Sequence, residues 1–419
     1  MNVQIPGKIL SLLLACLLGF SGLPVFTETS AMTDKTVTAS APDATAGTAQ
    51  INQEANSPSV STENAQPDLG LDCKSAVLME ASTGKILYAK QPDDALPPAS
   101  VTKIMTLLLI MEAIDSGRLK LTDTVTASTN ASSMGGSQIF LKEGEQMSVE
   151  DLLKSVVIAS ANDAAVALAE HISGSVEAFV GLMNIRAKEL GMEHSSFENV
   201  TGLDDAVTKH LTSAEDIAIM SRELIRHETI LKYSSIWMDT IRDGAFGLTN
   251  TNRLVRFYNG CTGLKTGSTS KAGFCISVTA TRGGMTLISV IMGSPNRDAR
   301  NQSAAKLLDW GFANYGVFRV DSAELAPMRV LGGVRDNCRI GHGSFSCVLK
   351  KEQIDSVVTA TELPETLSAT VKDGEVIGRI RYSVGGTEIG EVSVKALETV
   401  QKISFWGVFS RMLAKFMLI

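Results

Sequence analysis

The sequence predicts a mixed α/β (α+β) fold, in which an antiparallel sheet packs with a cluster of helices and is followed by a small all-β domain. Two segments, 75–88 and 274–291, each hold two apolar runs separated by a short turn, which is the pattern of a β-hairpin. Residues 148–190, rich in Ala, Leu and Val, predict helices. After about residue 320 the chain carries Gly turns and alternating residues, with Gly385-Gly386 as a hairpin signal.

Composition excludes several classes of protein. The chain has 419 residues, of which 44% are hydrophobic and 20% charged, as in folded soluble proteins rather than disordered chains or multi-pass membrane proteins. Its net charge of -7 disfavours a nucleic-acid partner, because phosphate contacts need a basic face. Six cysteines are too few for a disulfide scaffold, and the lack of any CxxC, HExxH or Cys/His cluster argues against a structural zinc site.

The chain divides into five predicted segments. Residues 1–31 predict a signal peptide and therefore export, because Lys8 precedes a mostly apolar core, 9–20, that is too short to span a bilayer. A faint lipoprotein box ends at Cys16, but apolar residues continue beyond it. Residues 32–70 hold no aromatic residue and predict a disordered linker. The remaining predicted segments are the main folded domain, 71–320, the β domain, 321–396, and an amphipathic helix, 397–419.

One helix is predicted to lie at the centre of the main domain. It follows Pro97-Pro98 and ends at Ser116-Gly117, and its residues 104–111 are apolar on nearly every side. Ser-x-x-Lys occurs four times in the chain, but only the copy at Ser100 and Lys103 lies at the opening of this helix. There the Lys103 amine lies beside the Ser100 hydroxyl, and burial lowers its pKa so that it can act as a base. Alone, the motif also fits an N-cap serine with a solvated lysine.

Two further short motifs follow. Ser160-Ala161-Asn162 lies between apolar helical runs, where buried polar groups are costly unless they are used or bonded. Lys265-Thr266-Gly267 precedes the second hairpin, so it is predicted on a strand edge, where a glycine lets a ligand backbone approach and the lysine and threonine could bind a carboxylate. Taken singly, the first also fits a polar helix–helix junction and the second an ordinary strand end.

In this order and context the three motifs resemble the pattern of the penicillin-recognising serine enzymes. Longer matches surround them: PASVTKIMT at 98–106, SANDAA at 160–165 and GLKTGST at 263–269. The segment 71–318 is similar to D-alanyl-D-alanine carboxypeptidases of the low-molecular-mass penicillin-binding group, and the β domain and terminal helix match more loosely. The resemblance implies a penicillin-binding protein/β-lactamase-like transpeptidase fold and a D,D-peptidase catalytic domain at 71–320.

The resemblance also implies roles for particular residues. Ser100 attacks the carbonyl between the two terminal D-alanines of a peptidoglycan stem peptide, Lys103 is its base, Ser160 passes a proton toward the leaving D-alanine, and Asn162 holds the substrate amide. The backbone N–H groups of Ser100 and Ser268 form an oxyanion hole. The implied substrate-binding residues are Lys265, Thr266, Gly267, Ser268 and Arg300.

Lys265 and Thr266 are expected to bind the terminal carboxylate with Arg300 nearby, although Asn301 departs from the usual aromatic residue. No metal or organic cofactor is implied. The expected partners are the peptidoglycan stem peptide, β-lactam antibiotics as covalent inhibitors, and a membrane surface.

Three other functions fit the sequence less well. A class A β-lactamase typically carries Ser-Asp-Asn and Glu-x-x-Leu-Asn, but position 161 is Ala and the second motif is absent. A Ser-His-Asp esterase typically shows Gly-x-Ser-x-Gly, which the chain lacks. A catalytically dead wall-binding protein would have no need of the complete motif set.

The cysteines and the C-terminus carry two further expectations. Cys261 and Cys275 would face each other across a hairpin centred at Ser268, although two buried free thiols are favoured; Cys338 and Cys347 form a weaker candidate pair. In the terminal segment, basic residues flank an apolar stripe, which predicts a helix lying on the outer face of the cytoplasmic membrane rather than crossing it. The stripe consists of Phe405, Phe409, Met412, Phe416 and Ile419.

Overall fold

The structure is a computed structural model that describes residues 66–204 and 208–417. The expected signal peptide and most of the expected linker lie outside the described residues. The last part of that linker, 66–70, is described: the Ala89 amide donates to Gln66 Oε1 at 3.0 Å, and Leu69 packs against an apolar cluster.

The first folded part contains nine helices and nine strands among the described residues. The helices are α1 Lys103–Asp115, α2 Thr129–Ser132, α3 Val149–Ile158, α4 Asn162–Ser173, α5 Val176–Glu189, α6 Ala214–Leu224, α7 Glu228–Ser234, α8 Leu254–Phe257 and α9 Arg297–Asn314. The strands are β1 Ser75–Glu80, β2 Ile86–Lys90, β3 Thr124–Thr126, β4 Gln146–Ser148, β5 Met238–Ile241, β6 Phe246–Thr249, β7 Cys261–Thr269, β8 Gly273–Arg282 and β9 Met285–Ser294.

The main sheet is antiparallel and has the strand order β2–β1–β9–β8–β7, so both predicted hairpins, β1–β2 and β8–β9, are present. It is buried on both faces. Along β1, Val77 and Met79 pack into the cluster of helices led by α1, whereas Ala76 and Leu78 pack with α9, because successive side chains of a strand point to opposite faces. The sheet therefore lies between the helical cluster and α9.

Helix α1 is the buried helix that the sequence predicts, and residues 104–111 are all inaccessible or nearly so. It begins at Lys103, later than expected, because Ala99–Thr102 forms a 3₁₀ turn instead of α-helix. Ala99 has a φ of 49°, in the left-handed region, directly after Pro97-Pro98. Ser100 therefore lies in a tight turn ahead of the helix.

The C-terminal part is mainly β. Its elements are β10 Tyr315–Val320, β11 Ala323–Leu331, β12 Asn337–His342, β13 Phe345–Lys350, α10 Lys351–Ile354, β14 Val358–Glu362, β15 Leu367–Ser368, β16 Val376–Val384, β17 Thr387–Ala396 and α11 Phe405–Phe416. Six strands form one sheet in the order β14–β16–β17–β12–β11–β15, and β10 pairs with β13. Gly385-Gly386 joins β16 to β17, as predicted, with both glycines at positive φ.

The expected domain limits at 320 and 396 stay predictions, but strand pairing extends past both. β10 starts at Tyr315 and already pairs with β13. At the other end, Val400 pairs with Val371, and Lys402 pairs with Gly333. Backbone hydrogen bonds thus continue for several residues beyond 396, up to the start of the terminal helix.

The candidate disulfide between Cys261 and Cys275 is wrong. The β7–β8 hairpin turns between Thr269 and Gly273 rather than at Ser268, so Cys261 lies opposite Ala280 and Cys275 opposite Gly267. Cys338 and Cys347 belong to β12 and β13, which are not neighbours. All five described cysteines are free thiols, and burial raises the pKa of Cys275 to about 11.

Within 66–204 and 208–417, no single helix has the length and apolar character to cross a membrane. A bent pair, α4 with α5, passes by length and composition alone.

Candidate active site

The nucleophile motif forms the centre of the site. Lys103 Nζ lies 3.0 Å from Ser100 Oγ, 2.6 Å from Asn162 Oδ1 and 2.8 Å from the Thr201 carbonyl oxygen. The side chain is inaccessible. Burial lowers the pKa of Lys103 well below its usual value, and the nearby Lys265 charge lowers it further. A neutral amine has two N–H donors, enough for Asn162 and Thr201, and its lone pair remains for the Ser100 hydroxyl proton.

Asn162 and Ser160 lie where α3 gives way to α4. Ser160 is buried, has a φ of 63° and lines the cleft in front of Ser100. Asn162 begins α4, and besides accepting from Lys103 it donates from Nδ2 to the Gly135 carbonyl at 2.7 Å. The junction between α3 and α4 therefore holds the amine of Lys103 in place, although Asn162 and Lys103 are 59 positions apart in the sequence. The role of Asn162 in holding the substrate amide stays a prediction.

Gly267 brings β7 close to the nucleophile. A Cβ at this position would lie 2.6 Å from Ser100 N and 2.9 Å from the Pro98 carbonyl oxygen. Real Cβ atoms do not approach backbone so closely, so glycine is needed for the contact between the strand and the 3₁₀ turn. The sequence predicts a glycine here because it leaves room for a ligand backbone. The structure adds a second reason, which is the close contact between β7 and the 3₁₀ turn.

Lys265 and Thr266 lie on β7 beside this contact. Burial, followed by the charge of Arg300, lowers the pKa of Lys265 to about 7, and its amine donates to the Thr266 carbonyl at 2.7 Å. Arg300 projects from α9 and is only 3% exposed. Its guanidinium donates to Asn301 Oδ1 at 3.0 Å and 3.1 Å, and burial lowers its pKa to about 10. Asn301, the departure from the usual aromatic residue, therefore holds Arg300 in place.

These groups meet at one cleft of about 660 Å³. It brings together Ser100 and Ser160 from one side, and Thr266, Gly267, Ser268 and Arg300 from the other. Lys103 and Lys265 are buried behind its surface. No cluster of three metal-binding side chains occurs in the described part of the chain. The arrangement suits nucleophilic attack by a serine on a substrate that carries a negative charge.

Comparison with known proteins gives the family. Residues 60–296 match the sequence profile of the D-alanyl-D-alanine carboxypeptidases, which is more than half of the chain. The chain belongs to this family. Residues 330–402 match the profile named for the C-terminal domain of penicillin-binding protein 5. The predicted family and the predicted fold, with its small all-β C-terminal domain, are confirmed.

Individual relatives agree with this assignment. D-alanyl-D-alanine carboxypeptidase DacF from Bacillus subtilis is 41% identical over 345 residues, which cover 81% of this chain and 88% of that protein. The crystal structure of penicillin-binding protein 5 from Haemophilus influenzae has a TM-score of 0.68 and 34% identity, covering 79% of this chain and 98% of the other. Penicillin-binding protein D2 from Listeria monocytogenes, in its ampicillin-bound form, has a TM-score of 0.55 and 32% identity, covering 59% and 100%. The expected serine D-Ala-D-Ala carboxypeptidase activity is confirmed by these family relations.

The sequence did not point to a buried network that supports the nucleophile turn of this carboxypeptidase family member. Thr102 Oγ1 donates to the Ala99 carbonyl at 2.8 Å and lies 2.7 Å from His210 Nε2. His210 Nδ1 accepts from the Glu198 amide at 3.0 Å, so the neutral ring carries its proton on Nε2 and donates to Thr102. The only sequence signal was the Thr within the Ser-x-x-Lys motif.

Acidification is expected to destabilise the fold through His210. Burial lowers the pKa of His210 from 6.5 to about 4. As pH falls from 6.5 to 4, His210 binds a proton in the unfolded chain but remains mostly neutral in the folded protein. The free energy of unfolding therefore decreases, by up to about 3 kcal/mol. The thermal midpoint of the wild type should therefore fall over this range.

A matched pair of variants isolates this effect. His210→Gln keeps an N–H donor for Thr102 but cannot titrate, so its midpoint should depend less on pH between 6.5 and 4. His171→Gln, at an exposed position, should behave like the wild type. Equal pH dependence in wild type and His210→Gln would show that other groups account for the acid loss.

Proposed function

We propose that this enzyme removes the terminal D-alanine from peptidoglycan stem pentapeptides through an acyl-enzyme on Ser100. The observation that carries the residue assignment is the amine of Lys103, buried, held by Asn162 and Thr201, and 3.0 Å from Ser100 Oγ. The burial that lowers its pKa favours the neutral amine, which can accept the Ser100 proton. Activation of a serine by an adjacent amine is the requirement for acyl transfer at this site.

The proposed steps use only groups at the cleft. Ser100 Oγ attacks the carbonyl of the penultimate D-alanine while its proton passes to Lys103. The backbone N–H groups of Ser100 and Ser268 stabilise the developing oxyanion. Ser160 delivers its hydroxyl proton to the departing nitrogen and receives in turn the proton held by Lys103, and D-alanine leaves. Water then attacks the ester and gives its proton to the neutral Lys103, which passes that proton to Ser100 Oγ as the shortened peptide leaves, so that Ser100 is regenerated.

The direct test is D-alanine release from diacetyl-L-Lys-D-Ala-D-Ala by the purified enzyme. Steady release supports the proposal and excludes a dead wall-binding protein. Rapid conversion of benzylpenicillin to penicilloate without D-alanine release would identify a β-lactamase instead. Because structures of the Listeria protein hold ampicillin and cefotaxime, we also propose that β-lactams acylate Ser100 here and act as covalent inhibitors.

Lys265 is expected to select substrates with a free terminal carboxylate. Lys265→Ala should lower kcat/KM for the free acid about tenfold to a hundredfold and leave the C-terminal amide nearly unaffected, because loss of one charge-assisted hydrogen bond costs about 1.5–3 kcal/mol. Lys265→Arg should retain part of the preference, since it keeps a cation.

The pH dependence gives a second readout. With a pKa of about 7, wild-type Lys265 loses its charge above neutral pH, so kcat/KM for the free acid should decline there. Arginine stays charged, and Lys265→Arg should move that decline to higher pH. If Lys265→Ala leaves the preference of acid over amide unchanged, Lys265 is not the carboxylate site.

We further propose that the enzyme is exported by its signal peptide and stays on the outer face of the cytoplasmic membrane. Support comes from α11, whose apolar side chains are uncovered: Phe405, Trp406 and Phe416 are 76%, 73% and 88% exposed. Arg411 and Lys415 add positive charge. Such a helix suits insertion at the interface of an anionic bilayer. A competing contact exists, because Arg411 bonds to Gly333, Val334 and Asp336 of the β domain.

Deletion of residues 404–419 is expected to release the processed enzyme into the soluble fraction with its peptidase activity intact. The cut follows Ile403 because Val400 and Lys402 pair with Val371 and Gly333 of the β domain. Phe409→Asp should weaken sedimentation with anionic vesicles, whereas Ser410→Asp, its neighbour, should weaken it less. A truncated protein that still sediments with membranes would contradict the anchor.

A further inference from the structure

The cleft extends well past the reactive groups, on one side. Trp237, Arg253 and Phe257 line this extension. Their segment is joined to β7 at Gly263 and Thr266: Thr266 Oγ1 donates to Thr251 Oγ1 at 2.8 Å, and Asn252 donates to the Gly263 carbonyl. The aromatic extension therefore lies beside the part of β7 that runs from Gly263 to Thr266.

The direction of the substrate follows from the proposed function, on which this inference rests. If Lys265, Thr266 and Arg300 hold the terminal carboxylate, the residue that leaves lies beside this part of β7, on the side toward the Cys261 end. The acyl portion lies toward the other end, where Thr269 bonds to Asp204. The extension thus adjoins the leaving residue, not the acyl chain.

The side chains of the extension are unusual for a protein surface. The rings of Trp237 and Phe257 meet edge to face at 6.2 Å, and the Arg256 guanidinium lies over both, at 5.5 Å and 5.4 Å. Phe257 is 70% exposed. The indole nitrogen of Trp237 is buried and has no hydrogen-bond partner among the described residues. An exposed aromatic ring and an unpaired donor at a cleft indicate a surface that a ligand covers.

The charge and the size of the cleft limit the kinds of ligand that it can bind. Arg253, Arg297 and Arg300 line the cleft, and no Asp or Glu of the described residues does. The whole cleft, including the space at the reactive groups, has a volume of about 660 Å³, which lies in the range of drug-sized ligands and leaves room for a peptide whose last residue is larger than alanine. The ligand that fits is an anion with a large, flat side chain.

We propose that this extension is a subsite for the leaving residue and accepts aromatic D-amino acids in place of the terminal D-alanine. The enzyme would break the peptide bond between the penultimate D-alanine and a C-terminal D-phenylalanine or D-tryptophan. Ser100 forms the same ester, and the aromatic D-amino acid departs with the proton delivered to its nitrogen. Trp237 and Phe257 contact its ring, while its carboxylate takes the place of that of D-alanine.

The test compares two peptides with the full-length processed enzyme. Diacetyl-L-Lys-D-Ala-D-Phe should release D-phenylalanine with a kcat/KM within about threefold of D-alanine release from the D-Ala-D-Ala peptide, or above it. Phe257→Ala should lower the value for the D-Phe peptide about tenfold more than the value for the D-Ala peptide, as expected for loss of apolar contact in a pocket. Trp237→Phe keeps a ring but removes the N–H and should fall between.

Phe140→Ala is the control, because Phe140 is 64% exposed but does not line the cleft; both of its rates should match the wild type. If the wild type releases D-phenylalanine about a hundredfold more slowly than D-alanine, the subsite is wrong while the carboxypeptidase function stands. Equal loss on both peptides in Phe257→Ala would also overturn the proposal. Absence of D-alanine release would instead contradict the proposed function itself.

Discussion

Ser100→Ala should abolish D-alanine release and covalent labelling by a fluorescent penicillin together. Both reactions need the same oxygen to form an ester. That oxygen is Ser100 Oγ, the hydroxyl that lies 3.0 Å from the Lys103 amine. Removal of a serine nucleophile from a comparable catalytic group costs about 10⁴–10⁶-fold in rate. The fold should survive, because Ser100 lies in a half-buried turn and loses only one oxygen.

The matched control is Ser82→Ala. Ser82 begins another of the four Ser-x-x-Lys copies but lies on an exposed turn, where its hydroxyl bonds to Glu80. That variant should keep full labelling and full peptidase activity. Labelling of Ser100→Ala, in a sample whose thermal unfolding matches the wild type, would place the nucleophile elsewhere.

Lys103→Met is expected to slow acylation about a hundredfold to ten-thousandfold, which is the usual contribution of a general base. Methionine fills similar volume in a site that is fully buried, but it cannot accept the Ser100 proton. It also leaves Asn162 Oδ1 and the Thr201 carbonyl without their donor. The rate constant for labelling by a fluorescent penicillin measures the step directly, without deacylation.

Two measurements make this result interpretable. Circular dichroism gives the folded fraction of Lys103→Met, because unpaired buried acceptors cost about 1–3 kcal/mol each. Lys306→Met, at the exposed lysine of another Ser-x-x-Lys copy, should label at the wild-type rate. A folded Lys103→Met enzyme that acylates as fast as the wild type would remove Lys103 from the role of base.

Local patterns in the sequence were sufficient for much of the architecture. The two hairpins and the buried helix follow from apolar runs bounded by Pro and Gly. The spacing of apolar residues along a segment determines whether a helix or a strand can bury them. The order of the three motifs identified the family, since each motif lies on an element whose type the neighbouring residues determine. Even so, the sequence predicts an opening of α1 slightly earlier than the structure has it, because the left-handed Ala99 and its 3₁₀ turn depend on what packs around them.

Only the tertiary structure decided how these elements meet. The β7–β8 register depends on where the chain turns, and a turn at 269–273 rather than 268 separates Cys261 from Cys275. Asn162 reaches Lys103, and His210 reaches Thr102, across 59 and 108 positions of sequence. Periodicity carries no information about such distant pairs, because they result from the packing of whole elements. The sequence by itself determined which residues carry the chemistry; the packing of α1, α4 and β7 decided that their side chains meet and that burial lowers the pKa values of both lysines.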